Sequence, residues 1–426
     1  MEDIESLKRR TLLKGMSAAA VAVSVMGCAS VATSARPRVV VVGGGWGGLG
    51  AVRSLAASGK VDITMIEPND GFMSCPLSIL YIAGFRPASE FQRSYGVIDS
   101  LGVRRVKDRV LDIDRAGRMV KTATQSIPYD FLVLATGLEY MEETLPGYAA
   151  ARDQFPVGFR AFEQSAVQRQ VATFIENGGH YVITVPKPPY RCPPAPYERA
   201  GLIAWWLKTR NIKGRLIVLD PNLPALSFDR IFRDAYRDQI TYLPQAAVKS
   251  VDPFKRRIVT DFDTIDFADA LLLPPQQAAD LAWDSGLIGK TADGKPSGWA
   301  ACDPVTLQAV ADERIFLVGD VIDKVSPLFG QYPKTGQLAA RLGHIAATQI
   351  AARAAGTTAE RLLPDSTCYV SNRPEPKEMT RIETAYRFRG DGVIQQTVRQ
   401  QYDPQAGEAD LDWARGLFAE LFGSAG

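Results

Sequence analysis

Cysteine is the side chain in this sequence best suited to moving electrons or sulfur. Cys75, Cys192, Cys302 and Cys368 lie in the body of the chain, and Cys28 lies near its start. A thiolate is a soft nucleophile, and two thiols can store an electron pair as a disulfide. No C-x-x-C pair occurs, so neither zinc nor an iron–sulfur cluster is indicated and no metal site is expected. Spacing alone leaves the pairing among the four open. Glu198 follows Cys192 closely enough to manage protons beside it, or it complements the first turn of a helix as an acid at the positive dipole end. His180 and His344 stand alone and read as structural.

The elements that must position these groups begin with a glycine-rich turn. Arg38-Val39-Val40-Val41-Val42 is a continuous β-branched run, as in a strand buried on both faces, and it leads into Gly43-Gly44-Gly45-Trp46-Gly47-Gly48. Helix formers fill Leu49 to Ala57, a second strand is predicted at Val61 to Ile66, and Glu67 closes it. Together these form a βαβ unit with a dinucleotide fingerprint. Gly43, Gly45 and Gly48 let the backbone approach a pyrophosphate at a helix N-terminus, and Glu67 accepts from ribose hydroxyls.

Two later apolar runs end in motifs of their own: Phe131 to Leu134 before Ala135-Thr136-Gly137, and Arg314 to Val318 before Gly319-Asp320. Both resemble the segments that flavoprotein disulfide reductases place around FAD, with Asp320 approaching the ribityl chain. This resemblance favours FAD over NAD and runs from about Arg36 to the end of the chain. The sequence also echoes itself. Val110 to Asp114 through Tyr129 to Leu134 parallels Val248 to Asp252 through Phe267 to Leu273, implying two similar units. In the second, the strand Tyr181 to Val185 runs into Pro186 to Pro194, whose prolines offer few N–H donors to a pyrophosphate, so NADH is an unlikely reductant. The expected fold is α/β, with two Rossmann-like nucleotide-binding-type domains of disulfide-reductase architecture and a C-terminal α+β domain. Residues 36–154 and 274–355 would form a discontinuous FAD domain, 155–273 the second Rossmann-like domain, and 356–426 the C-terminal domain.

Composition sets the frame. The chain has 426 residues, 46% of them hydrophobic, enough for two or three packed domains. The formal charge of +2 comes without a block of like charge, so no nucleic-acid footprint is present. Lys8-Arg9-Arg10-Thr11-Leu12-Leu13-Lys14 and the apolar run from Met16 to Met26 read as a twin-arginine leader over residues 1–35, implying periplasmic export. Val25-Met26-Gly27-Cys28 also resembles a lipoprotein box, which would anchor the protein at Cys28. Beyond the leader no segment is long and apolar enough to be transmembrane. The apolar residues of Asp410 to Phe422 recur at helical spacing among Asp410, Asp412 and Glu420, a pattern suited to packing on protein and not on lipid.

A more specific resemblance lies in Phe72-Met73-Ser74-Cys75-Pro76-Leu77-Ser78, in Arg191-Cys192-Pro193-Pro194-Ala195-Pro196-Tyr197-Glu198-Arg199-Ala200, in Ser366-Thr367-Cys368-Tyr369 and in Pro333-Lys334-Thr335-Gly336. Together they resemble the flavin subunit of flavocytochrome c sulfide dehydrogenase. The resemblance implies a thioether from Cys75 to FAD and a redox disulfide between Cys192 and Cys368 over the flavin. It implies no role for Cys302. Lys334 and the helix from Thr335 would supply positive potential near the flavin, or Lys334 is a solvated lysine capping a loop. The implied substrate is a small inorganic sulfur compound, and the implied partner is a c-type cytochrome subunit, since the chain has no C-x-x-C-H of its own. Two alternatives remain at this point: a sulfide:quinone reductase-like enzyme, or a non-catalytic flavoprotein accessory subunit.

Overall fold

The computed structural model describes residues 36–423; the leader read at Arg9-Arg10, with Cys28, lies outside the described residues. The valine run forms strand β1 (Arg38–Val42), with all four valines buried. It lacks polar alternation because it is covered on both sides. Helix α1 (Trp46–Ser58) returns the chain to β2 (Asp62–Ile66), which pairs in parallel with one edge of β1. The other edge of β1 pairs in parallel with β3 (Phe131–Leu134). Gly59 ends α1 in the left-handed conformation, at φ 62, where an L side chain would be strained.

The second unit repeats this plan. Strand β4 (Gly179–Thr184), helix α2 (Ala195–Thr209) and β5 (Gly214–Asp220) form its βαβ core, and β6 (Ile240–Pro244) and β7 (Asp269–Leu271) complete a parallel sheet in the order β6-β5-β4-β7. The echo seen in the sequence is a structural duplication down to single hydrogen bonds. Each unit carries a three-stranded antiparallel meander, Val110–Asp114 with Met119–Thr122 and Ser126–Pro128 before β3, and Val248–Asp252 with Arg257–Thr260 and Thr264–Asp266 before β7. Arg118 (φ 55) and Arg256 (φ 52) make the same left-handed turn. Tyr129 N–H donates to Arg118 O at 3.0 Å, and Phe267 N–H donates to Arg256 O at 2.9 Å.

The chain then returns to the first sheet through β8 (Asp312–Leu317), which pairs in parallel with β3. That sheet is six-stranded, with strand Gln308–Ala309 beyond β8 and Arg104–Val106 beyond β2. Helix α3 (Gly336–Ala354) lies directly on α1: a Cβ on Gly343 would fall 2.2 Å from Gly47 O, so only glycine permits this approach. An antiparallel sheet follows, β9 (Asp365–Arg373), β10 (Glu378–Phe388) and β11 (Ile394–Asp403), and then helix α4 (Ala409–Phe422). The apolar face of α4 is taken up by the first unit. Phe418 stacks on Trp46 at 5.8 Å, Phe422 lies 5.2 Å from Phe72, and Arg93 sits 4.1 Å over the Phe418 ring.

Candidate active site

A cleft opens at the C-terminal ends of β1, β3 and β8, where a doubly wound sheet binds its ligands. Its first end is the glycine turn. Gly43 has φ 100, and a Cβ there would lie 2.5 Å from Ala135 O. A Cβ on Gly48 would fall 1.8 Å from Gly43 O, whereas Gly45 faces open space beside the start of α1. These are three different reasons for glycine, and together they leave backbone bare where a phosphate would sit. Glu67 is buried at the end of β2, oriented by N–H donors from Gly44 at 2.7 Å and Asn69 at 2.9 Å. Ala135, Thr136, Gly137, Gly319 and Thr335 line the middle of the same cleft. Trp46 Nε1, Thr136 Oγ1 and Trp413 Nε1 are buried there without a protein partner, which fits a ligand rich in hydrogen-bonding groups. The residues therefore fit FAD.

The second end gathers cysteines from three distant segments. Cys75 follows the short strand Gly71–Met73, in a turn closed by Ser78 Oγ donating to Cys75 O at 2.8 Å. Cys192 adopts the left-handed conformation at φ 51, its N–H donating to Lys334 O and its carbonyl accepting from Ala195 N–H, both at 2.9 Å. Cys368 sits in β9 opposite Ile382. All three line the cleft. The disulfide implied between Cys192 and Cys368 is not formed: both are free thiols, the two-electron-reduced state of such a pair. They are held by different supports, a loop pinned to Lys334 and a strand of the C-terminal sheet, and both are half-buried in the cleft wall. Burial pushes all three thiols up, Cys368 to about 12, with Glu198 adding to the rise at each. Arg191 and Arg199 oppose the rise at Cys75, and Arg199 opposes it at Cys192. Cys302 is also a free thiol, buried beside Ala309 and outside this cleft.

Glu198 stands in the first turn of α2, but it is no solvated dipole acid. It is 4% exposed, accepts the Ser371 N–H at 2.6 Å, and burial raises it to about 8. Lys334 is equally far from a solvated loop lysine. Its ammonium lies 3.5 Å from the Trp299 ring centre, donates to Asp320 O at 2.7 Å, and burial lowers it to about 7. The Asp320 carboxylate, expected near the ribityl chain, is paired with Arg191 Nε at 2.6 Å.

Two arginines were missed by the sequence reading. Arg191 Nη1 donates to Phe159 O at 2.8 Å, and although burial works against its charge, Asp320 keeps it protonated. Arg199, 2% exposed, donates to Val157 O and Gly158 O. The available signal was adjacency, since they flank Cys192 and Glu198, but adjacency does not reveal which way a side chain points. Tyr369 and Trp413, whose rings lie 5.7 Å apart, also line the cleft and were not singled out.

The family model for "Pyridine nucleotide-disulphide oxidoreductase" matches residues 37–171, the segment holding the glycine turn, Glu67, Cys75 and Thr136. The match covers less than half of the chain. A second model, "Sulfide dehydrogenase [flavocytochrome c] flavoprotein chain, central", matches residues 165–274, which include Cys192 and Glu198. This FAD-dependent oxidoreductase is thus related to the sulfide dehydrogenase flavoprotein. Among curated proteins it is 23% identical to the mitochondrial sulfide:quinone oxidoreductase of Mus musculus, over 66% of this chain and 65% of that one. The Dictyostelium discoideum counterpart is 25% identical over 42% of this chain and 40% of its own. The matches thus span less than two thirds of either relative. In fold, the oxidoreductase superposes on the sulfide:quinone oxidoreductase of Aquifex aeolicus with a TM-score of 0.73 at 19% identity, covering 91% of this chain and 92% of that one. A NAD-dependent persulfide reductase from A. fulgidus gives 0.62 at 16% identity, over 85% and 70% of the two chains.

Proposed function

We propose that this oxidoreductase oxidises sulfide, or a related small sulfur compound, through Cys192 and Cys368 beside FAD, and passes the electrons to a c-type cytochrome. The observation that carries the proposal is the convergence of Cys75, Cys192 and Cys368 from three distant segments on one FAD-fitting cleft. FAD, when bound, supplies a two-electron acceptor. In the oxidised pair, hydrosulfide attacks one sulfur; the S–S bond breaks, a persulfide forms, and the other sulfur leaves as a thiolate. A thiolate in this buried place is costly, and Glu198, still protonated at neutral pH, is placed to hand it a proton. Arg191 and Arg199 supply fixed positive charge against the sulfur anions. Cys75 is proposed to tether FAD covalently.

A second reading, sulfide:quinone reductase, is favoured by the similarity to the Aquifex aeolicus structure over nearly its whole length. Against it stands α4, whose apolar face is buried on Trp46 and Phe72 and so is not offered to lipid. No helix among the described residues is long and apolar enough to cross a membrane. The twin-arginine sequence supports a periplasmic location, where a soluble haem acceptor is at hand. In anaerobic stopped-flow mixing, sulfide should bleach the flavin and NADH should not. The reduced protein should then reduce a periplasmic cytochrome c much faster than a soluble quinone analogue. Bleaching by NADH alone overturns the donor, and faster quinone reduction overturns the acceptor.

A further inference from the structure

The two duplicated units end their second strands alike. Glu67-Pro68-Asn69 closes β2 and Asp220-Pro221-Asn222 closes β5. In both, the asparagine backbone N–H donates to the acid at 2.9 Å. In the first unit the other carboxylate oxygen accepts Gly44 N–H from the glycine turn, and the acid lines the nucleotide cleft. In the second unit the glycines are replaced by Pro186 to Pro194, and the corresponding oxygen, Asp220 Oδ2, accepts two tyrosine hydroxyls instead. Tyr197 of α2 donates at 2.6 Å and Tyr242 of β6 at 2.7 Å, with Asp220 wholly buried. The protein's own hydroxyls stand where a ribose would donate.

These hydroxyls lead to the reactive loop. The backbone N–H of Tyr197 donates to Pro194 O at 3.1 Å, two residues past Cys192, and within the loop the Tyr190 hydroxyl donates to Pro193 O at 3.0 Å, which closes the turn across Cys192. Cys192 needs such support, because a non-glycine residue at φ 51 persists only where its surroundings fix it. Tyr197 and Glu198 are also successive residues of one helical turn, so anchoring Tyr197 to Asp220 fixes the roll of α2 that brings Glu198 to Ser371.

We propose that Asp220 is a positioning residue for Cys192: the acid that a nucleotide-binding unit uses for a ribose here holds, through Tyr197, the first turn of α2 on which the reactive-cysteine loop is seated. The proposal rests on the reading that Cys192 reacts with the sulfur substrate. It is tested with Tyr197→Phe, with Asp220→Asn, which alters the acceptor itself, and with Tyr242→Phe, which takes the other hydroxyl from Asp220 but reaches no residue of the Cys192 loop. Two quantities are measured: the rate of flavin bleaching by sulfide, and iodoacetamide labelling of Cys192 relative to Cys302 in the reduced protein, read by peptide mass spectrometry. In Tyr197→Phe, bleaching should slow by about ten- to a hundredfold, as expected for a misplacement on the order of 1 Å, and the labelling ratio should change with it. Flavin content should hold, and Tyr242→Phe should match the parent in both measurements. Asp220→Asn serves if Tyr197→Phe does not fold; an unaltered labelling ratio in the folded variant overturns the proposal. Cys192→Ser separates the two readings. If that variant still bleaches with sulfide, the proposed function falls, while the labelling ratio still decides the positioning role.

Discussion

Replacing Glu198 by Gln tests the electrostatics of the site on a quantity that does not depend on turnover. The change keeps the shape and an oxygen to accept the Ser371 N–H but removes the titration. Glu198 is raised by burial from 4.5 to about 8. Between those values the folded protein holds a proton that the unfolded chain has released, so stability falls as pH rises. The contribution is fully present below pH 4.5 and lost by the time pH has passed about 8. At about 1.4 kcal/mol for each tenfold change in proton affinity, the loss comes to roughly 5 kcal/mol. Unfolding by denaturant from pH 4 to pH 9, on parent and Glu198→Gln side by side, should show the variant gaining on the parent by most of that amount. Bleaching by sulfide should fall in the parent as pH passes 8, where the proton donor is lost; the variant should be slower and lack that limb. Parallel stability curves with no relative gain would refute the buried, proton-holding carboxyl.

Other substitutions probe the remaining groups. Cys75→Ser should release yellow flavin into the supernatant on acid precipitation while the parent keeps it in the pellet; a colourless pellet from the parent removes the tether. Cys192→Ser and Cys368→Ser should each retain FAD and lose bleaching by sulfide, and full bleaching in the double variant sinks the redox pair. Lys334 titrates in the folded protein at about 7, below its ordinary 10.5, so its burial destabilises the protein below pH 7 and that penalty fades as pH rises towards 10.5. Thermal unfolding of Lys334→Met should therefore lack a rise in stability over that interval that the parent shows, and equal slopes would contradict it.

The fold was legible wherever local pattern and burial coincide. The valines of β1 announce a strand covered on both faces, and the glycines after them announce the turn, because both follow from what the immediate neighbours demand. The duplication was visible because each meander repeats the same turn residues. The glycine turn, Glu67 and the three clustered cysteines were likewise open to reading, the cysteines only through resemblance. What stayed hidden is side-chain direction. Arg191 turns to Asp320 and Arg199 to the carbonyls of Val157 and Gly158, partners remote in sequence that no local periodicity encodes. Lys334 and Glu198 were seen but not their burial, which depends on Trp299 and β9 closing over them. The thiol state of Cys192 and Cys368 depends on oxidation and not on amino-acid order.

Helix α4 has a bearing on how the protein is made. Phe418 and Phe422 cover Trp46 and Phe72, and Trp413 lines the cleft, so the wall of the cofactor site is supplied from the far side of the sequence. A ribosome that has finished β1, α1 and β2 has built the phosphate turn but not the surface that encloses it. Until translation passes Phe422, a flavin settling on that turn would rest on a half-built shelf with Trp46 bare to water, free to leave as readily as it came. Loading thus waits on α4, and chains that stall or are clipped ahead of Ala409 should emerge colourless.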